Sequence, residues 1–330
     1  MTTAAVPLRR RVLIVKTSSM GDVVHALPAV SDMRRADPGL EVSWLVEAPF
    51  AAIPGLHPGV DQVVPIAWRK WRKTLWRAET RAAIGRVRDE LRRAPFDLVL
   101  DLQGLLKSVL WAKQARGPLA GYDAASIREP AAAWFYRDRF AVPRDLQAVE
   151  RCRRLAAASL GYALPDTPPD FGLAPPPGQW QVPQPYAVLI PCASRPEKLW
   201  PEEDWIALGL HLRAAGLLPV ILWGSPEEHA RADRIASGCG GTVPPFLTVA
   251  DTAAVLHHAR QVVGLDTGFS HLAAALGRPT IGIYCDHAPG LAGITGAGQV
   301  ASFGGKGLRP ARAQILAQLD QHLRLGGDHT

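Results

Sequence analysis

The sequence predicts an α/β protein made of two similar-sized α/β domains. Short aliphatic and β-branched runs alternate with longer segments of helical period along most of the chain. A chain of 330 residues is also more than one core usually serves. The alternation breaks once, over residues 165–185, where eight prolines and no apolar periodicity exclude any extended helix or strand. That stretch reads as a linker, giving domains at 1–165 and 186–330 around a linker at 166–185, with the final helix free to pack back on the first domain.

Taken in order, residues 11–16 (RVLIVK) read as a buried strand, followed by a polar turn over 17–22 and an apolar-periodic helix over 23–35. Strands follow at 41–46 and 62–66, a helix within 69–93, a strand at 97–102 and a short helix at 105–114. Two further helical segments are expected over 126–140 and 145–160. Beyond the linker come a strand at 186–190, a helix at 201–215, a strand at 217–222 and helices at 227–237 and 249–259. Residues 261–284 then read strand, turn, helix, strand, the helix stopping at Gly277 before Pro279, and a helix over 310–325 closes the chain. This alternation predicts mostly parallel sheets with right-handed crossovers.

Composition narrows the class. Nearly half the residues are hydrophobic and a fifth charged, as in soluble globular proteins, and no apolar run approaches the roughly 20 residues that cross a bilayer. The basic start precedes an apolar run too short for a signal peptide and lacking a small-residue cleavage site, so it reads as the first strand of a cytoplasmic protein. Cys152, Cys192, Cys239 and Cys285 are widely spaced, which suggests reduced thiols and no structural metal. The formal charge of +7 calls for an acidic partner, without choosing between nucleic acid, a membrane surface and a phosphorylated ligand.

Four stretches carry chemistry. The turn Asp266-Thr267-Gly268 lies where a parallel strand hands over to a helix, so free N–H groups and the helix dipole favour a diphosphate there. Gly268 lets the anion approach the backbone, while Thr267 and Ser270 add hydroxyls. The plainer reading makes Asp266 an N-cap and His271 a packed helix residue. In the turn after the first strand, which has neither a Walker nor a dinucleotide pattern, Asp22 can take a proton from a hydroxyl or cap the helix. His25 can orient it or face the adjoining loop. Lys198 can meet a leaving-group oxygen or be a solvated lysine, and Glu228 can bind a ribose or favour a first helical turn. Trp68, Trp71 and Trp76 interleave with Arg69, Lys70, Arg72, Lys73, Arg77 and Arg81. That pattern suits membrane headgroups or RNA, or an exposed basic helix whose indoles pack on the sheet.

Lys16-Thr17-Ser18-Ser19-Met20-Gly21-Asp22-Val23-Val24-His25, Asp101-Leu102-Gln103-Gly104-Leu105-Leu106-Lys107-Ser108, Lys198-Leu199-Trp200-Pro201 and Asp266-Thr267-Gly268-Phe269-Ser270-His271 together resemble the lipopolysaccharide heptosyltransferase I family, in order over nearly the whole chain. The resemblance implies a GT-B fold, two Rossmann-like domains facing across a cleft. It implies metal-independent, inverting transfer of heptose from ADP-L-glycero-β-D-manno-heptose to the Kdo region of Kdo2-lipid A, without a cofactor, by a monomer on the cytoplasmic face of the inner membrane. Asp22 then matches the general base and Lys198 the lysine that stabilises departing ADP. Ser194, Glu228, Asp266, Thr267, Gly268 and His271 fall on the donor side. Ser18, Ser19, Gly21, His25, Gln103, Arg69, Lys70, Arg72, Lys73 and Arg128 fall on the acceptor side. The chain departs from the family pattern at Ala193-Ser194, where relatives often carry paired threonines, and at Cys285-Asp286-His287-Ala288-Pro289, where they usually show a Gly-Pro-Thr-Asp-Pro type of turn.

On this reading Asp22 gains basicity from partial desolvation when the domains close. The alternatives are another GT-B transferase, such as a heptosyltransferase II, or a basic nucleic-acid-binding protein without catalysis, which the resemblance disfavours.

Overall fold

A computed structural model describes residues 10–175, 178, 182 and 185–326. The basic start at 1–9 and residues 176, 177, 179–181, 183 and 184 of the proline-rich stretch lie outside the described residues. The chain divides into two compact units, Met1–Gly172 and Leu173–Thr330, each described by itself.

The first unit runs β1 (Arg11–Val15), α1 (Met20–Ala36), β2 (Glu41–Glu47), α2 (Ala52–Gly55), β3 (Gln62–Ile66), α3 (Trp68–Trp71), α4 (Ala78–Arg92), β4 (Leu98–Asp101), α5 (Leu106–Ala112), β5 (Leu119–Tyr122), β6 (Asp138–Phe140) and α6 (Ala148–Leu160). Its sheet is parallel throughout in the order β3-β2-β1-β4-β5-β6, so the order reverses between β1 and β4. Helices cover both faces of such a sheet, which is why β1 and β4 are near-continuous apolar runs rather than alternating ones. Helix α1 packs on α6 through a buried ion pair, Arg153 Nε to Asp32 Oδ2 at 2.6 Å. The same guanidinium donates to the carbonyls of Thr167 and Pro165, fastening the chain that follows α6.

The second unit runs β7 (Tyr186–Ile190), α7 (Glu202–Ala214), β8 (Leu218–Ile221), α8 (Pro226–Cys239), α9 (Val249–His258), β9 (Gln261–Leu265), α10 (Gly268–Ala275), β10 (Thr280–Tyr284), β11 (Val300–Gly304) and α11 (Arg312–Gly326). Its parallel sheet has the order β11-β10-β9-β7-β8 and reverses between β7 and β9. Helix α11 buries Ile315 and Leu319 in a core with Trp205, Leu208, Leu212 and Ile281, so it packs within the second unit.

One expectation is corrected. Residues 126–140 are not helical: a 3₁₀ turn over Pro130–Phe135 leads into β6, because pairing with β5 outweighs the helix propensity of the alanines. The helix expected within 69–93 is α4, and ahead of it Trp68 and Trp71 of α3 anchor on Trp111 while Arg81 donates to the carbonyls of Leu75 and Trp76 in the loop between. Sequence does not mark strands β5, β6 and β11, whose LAGY, DRF and VASFG are not runs of β-branched residues.

Candidate active site

The reversal in the first sheet sets the carboxyl ends of β1 and β4 side by side, the position where open α/β sheets bind ligands. One side chain ties the two loops: Gln103 Oε1 accepts from the N–H of Thr17 (3.0 Å) and of Ser18 (3.1 Å). Beneath it the fully buried Asp101 carboxylate accepts from the N–H groups of Gln103 and Gly104 and from the hydroxyls of Ser108 and Tyr136. Burial outweighs these donors and pushes that carboxyl above its ordinary range. Gly104 supplies the left-handed backbone (φ +70°) the turn requires.

Asp22 is not the N-cap of α1. Ser19 is, and Asp22 stands three residues on, accepting at Oδ2 from the Ser19 N–H (2.7 Å) and hydroxyl (2.8 Å) as the acidic half of a capping box. The same carboxylate lines a cavity of about 200 Å³ together with Lys16, Gln103, Tyr122, Arg128 and Arg151. Burial opposes its ionisation, but Lys16, the two Ser19 donors and His25 prevail and lower its pKa. The carboxylate is held ionised and able to accept a proton, with a weaker pull on it.

The basic residues reach this loop by one route. Lys107 donates from Nζ to Ser18 Oγ (3.0 Å), and the buried Glu47 accepts the N–H of Arg69 (3.2 Å). Burial, then the nearby Arg69, lowers the Lys107 pKa. Burial likewise raises Glu47, against the pull of Arg69, Lys107 and Arg72. Lys70, Arg72 and Lys73 are exposed around α3, and Arg128 is exposed at the cavity. His25 is buried on α1, while Gly21 lies in that helix's first turn.

In the second unit the reversal joins the ends of β7 and β9. Thr267, rather than Asp266, is the N-cap of α10, and its Oγ1 is buried with no hydrogen-bond partner among the described residues. Asp266 precedes it and faces two side chains: Lys198 Nζ lies 2.5 Å from Oδ2, and His271 Nε2 lies 3.4 Å from Oδ1. Burial opposes ionisation here too, but bonds from His271 and Lys198 drive the Asp266 carboxyl well below the carboxylate range. Gly264 lets α10 close on β9, since a Cβ there would lie 2.3 Å from Ser270 Oγ. Ser194 is exposed in the loop after β7, and its neighbour Arg195 pairs with Asp286. Glu228 is engaged as a helix-start residue, accepting from the Gly224 N–H (2.8 Å) while its own N–H donates to Ser225 Oγ (3.2 Å). Its carbonyl faces Cys192 Sγ at 3.8 Å, so the loop that carries Ser194 borders the start of α8.

Several participants were not singled out from sequence. Lys16 closes β1, and Lys107 falls in the 101–108 motif, so both had a signal. Asp286 and His287 lie in the 285–289 turn that departs from the family pattern, whereas Arg151, Tyr122 and Arg195 had no signal, because only folding brings them to these loops. Asp266, Asp286 and His287 also bring ligand atoms within 4.8 Å of one another, near enough to hold a metal ion. Lys198 and Arg195 already sit on the two carboxylates, so the cluster as it stands is an ion-pair network.

Two doubly wound parallel sheets, one offering an ionised carboxylate beside a cationic cavity and the other a lysine at a helix start suited to a diphosphate, define a GT-B glycosyltransferase. The description Glycosyltransferase family 9 (heptosyltransferase) matches residues 84–308, and the chain belongs to that family. It is similar to Lipopolysaccharide heptosyltransferase 1 of Salmonella typhimurium, 43% identical over 323 residues, which cover 97% of this chain and 100% of that one. Among solved structures it resembles the Escherichia coli heptosyltransferase WaaC with ADP, at a TM-score of 0.86 and 38% identity over 94% of this chain and 99% of that one. The same enzyme with ADP-2-deoxy-2-fluoro heptose matches at 0.82 and 37%, over 96% and 99%.

Proposed function

We propose that this chain transfers L-glycero-D-manno-heptose from ADP-L-glycero-β-D-manno-heptose to a Kdo hydroxyl of Kdo2-lipid A, with inversion at the anomeric carbon. The observation that carries the reading is the Asp22 carboxylate, ionised by its surroundings and lining a cavity with Arg128 and Arg151. Asp22 takes the hydroxyl proton as the acceptor oxygen bonds to the anomeric carbon. The bond from that carbon to the diphosphate oxygen breaks, and its electron pair leaves with ADP. Lys198 and the N–H groups at the start of α10 meet the charge that builds on the diphosphate. The arginines suit the carboxylate of an acidic sugar. The similar proteins support the donor, since the solved relatives hold ADP and an ADP-heptose analogue.

Incubating purified protein with ADP-heptose and either Kdo2-lipid A or its heptosylated form tests the acceptor. Transfer to Kdo2-lipid A alone is expected, and preference for the heptosylated form would make the protein a heptosyltransferase II. Because Lys198 and Arg195 hold the carboxylates a metal would need, EDTA is expected to leave the rate unchanged. A loss restored by added magnesium would make the Asp266, Asp286 and His287 cluster a metal site.

The enzyme is proposed to work as a monomer at the cytoplasmic face of the inner membrane. Among the described residues no helix is long and apolar enough to cross a membrane, so contact would be peripheral.

A further inference from the structure

The cavity beside Asp22 is lined by three cations that are not equivalent. Among the described residues Asp22 is its one carboxylate, against Lys16, Arg128 and Arg151, which leaves two positive charges in excess. Lys16 is committed within the fold, being buried with Nζ donating to the carbonyl of Leu102 at 2.8 Å. Arg128 is exposed, so water competes for its donors. Arg151 differs from both. It stands on α6, its Nη2 donates to the carbonyl of Ser126 at 2.5 Å, and its guanidinium lies over the Tyr122 ring at 4.8 Å. Ser126 is itself fixed: its Oγ accepts from the Val142 N–H at 2.8 Å, and its own N–H donates to Asp123 Oδ1 at 2.8 Å. The guanidinium is thus held in place at one end and by one face. Its Nε, by contrast, is buried and has no hydrogen-bond partner among the described residues. A buried charged donor without an acceptor is unfavourable, and an acceptor brought by a ligand removes the penalty.

We propose that Arg151 is a specificity-determining residue, whose Nε binds the carboxylate of an acidic acceptor sugar and so selects that sugar over a neutral one at the Asp22 cavity. This rests on the reading of that cavity as the acceptor site. A planar guanidinium fixed before the ligand arrives suits a carboxylate, which brings acceptor oxygens and a negative charge together. A neutral sugar in the same place brings hydroxyls but leaves the excess charge unbalanced. Discrimination therefore comes from what the wrong sugar leaves unmet as well as from what the right one gains. The acceptor proposed above carries its carboxylate on the same sugar as the hydroxyl that reaches Asp22, so one ring can engage both residues.

The test compares kcat/KM of the full-length protein on two water-soluble acceptors, deacylated Kdo2-lipid A and the same molecule with its Kdo carboxyls reduced to primary alcohols. Wild type is expected to prefer the carboxylate by about a hundredfold. Arg151→Gln should shrink that preference to about threefold or less, because its kcat/KM falls far more on the carboxylate than on the alcohol. Arg151→Lys keeps the charge without the planar fork and should retain an intermediate preference. Unchanged affinity for ADP-heptose shows that each variant is folded. An Arg151 that merely braces the Ser126 loop would lower both acceptors together and leave their ratio as in wild type, which overturns the proposal. A ratio that survives in Arg151→Gln and collapses in Arg128→Gln gives the carboxylate to Arg128 and overturns it too. A wild type that uses both acceptors equally overturns it while leaving transfer to Kdo standing. No transfer to either acceptor removes the acceptor reading and this proposal together.

Discussion

Asp22 does two jobs with one carboxylate. Its Oδ2 completes the capping box of α1, and its ionised state is what lets it receive a proton at the cavity. Asp22→Asn retains the shape and an acceptor for the Ser19 N–H but removes the base, so kcat should fall by about a hundredfold or more with donor affinity unchanged. Steady-state kinetics with donor titration check this, and near-normal kcat would take Asp22 out of the mechanism. The residue was legible because it follows a strand in a polar glycine-containing turn. Its environment was not: Lys16 and Ser19 lower its pKa where desolvation alone implied the opposite, and the sum depends on distances no sequence records. Lys198 was legible from its place near a strand end and from the 198–201 motif, but its 2.5 Å pairing with Asp266 is a tertiary fact spanning 68 positions.

At the scale of elements, sequence revealed the strands carried by aliphatic and β-branched runs and missed those without one, β5 included although it is fully buried. Strands β1, β7 and β9 are continuous apolar runs, whereas β6 is an exposed edge of three residues held by its neighbour. Close approaches between elements were equally hidden. Gly264→Ala would drive a methyl into Ser270 Oγ and the Ile190 side chain, shifting α10 and its N-terminal turn. It should cost about 1–3 kcal/mol by chemical denaturation and weaken donor binding. Gly85→Ala, in the middle of α4 with nothing within 4 Å of the new methyl, should instead stabilise by up to about 1 kcal/mol. A second element-scale prediction concerns α1 and α2. His57 accepts from the Gly59 N–H at Nδ1 and meets Ser31 Oγ at Nε2 (2.9 Å), and burial, aided by Arg34 and resisted by Asp170, pushes it down to about 4. A histidine whose folded value is depressed contributes stability that is complete above its ordinary value near 6.5 and is lost as pH falls towards about 4. Protonation would cost about 2–3 kcal/mol over that window. Urea unfolding of wild type and His57→Gln at both ends of the window should show a smaller acid loss in the variant, and equal losses would exclude His57 as the cause.

Over the whole molecule, the surface chemistry is uneven in a way that bears on where the enzyme works. In the first unit the exposed large apolar side chains are Leu75, Trp76, Leu106, Leu110, Trp134 and Phe135, carried by the loop after α3, by α5 and by the 3₁₀ turn before β6. The elements that carry them are neighbours: Trp68 and Trp71 of α3 pack on Trp111 of α5, and Lys113 just after α5 lies over Phe135 at 4.8 Å. Arg69, Lys70, Arg72, Lys73 and Arg77 are exposed along α3 and the loop after it, Arg88 lines a groove with Trp68, Leu110 and Trp111, and the chain as a whole carries +7. The sequence grouped Trp68, Trp71 and Trp76 as one set, but only Trp76 is largely exposed, at 70%, and its counterpart Trp134, at 74%, comes from a segment misread as helix. Amphipathic side chains ringed by cations suit an anionic bilayer surface, where indoles lie at headgroup depth and each basic residue adds about 1 kcal/mol near the surface. Trp76→Ser with Trp134→Ser should therefore lower partition onto phosphatidylglycerol-containing vesicles about tenfold in a sedimentation assay. High salt should weaken wild-type binding further, by screening the basic residues. Transfer to a short-chain, water-soluble acceptor should be unaffected in the double variant, because neither indole belongs to the Asp22 cavity. Partition equal to wild type would return these tryptophans to ordinary surface residues and leave lipid contact to the acceptor alone.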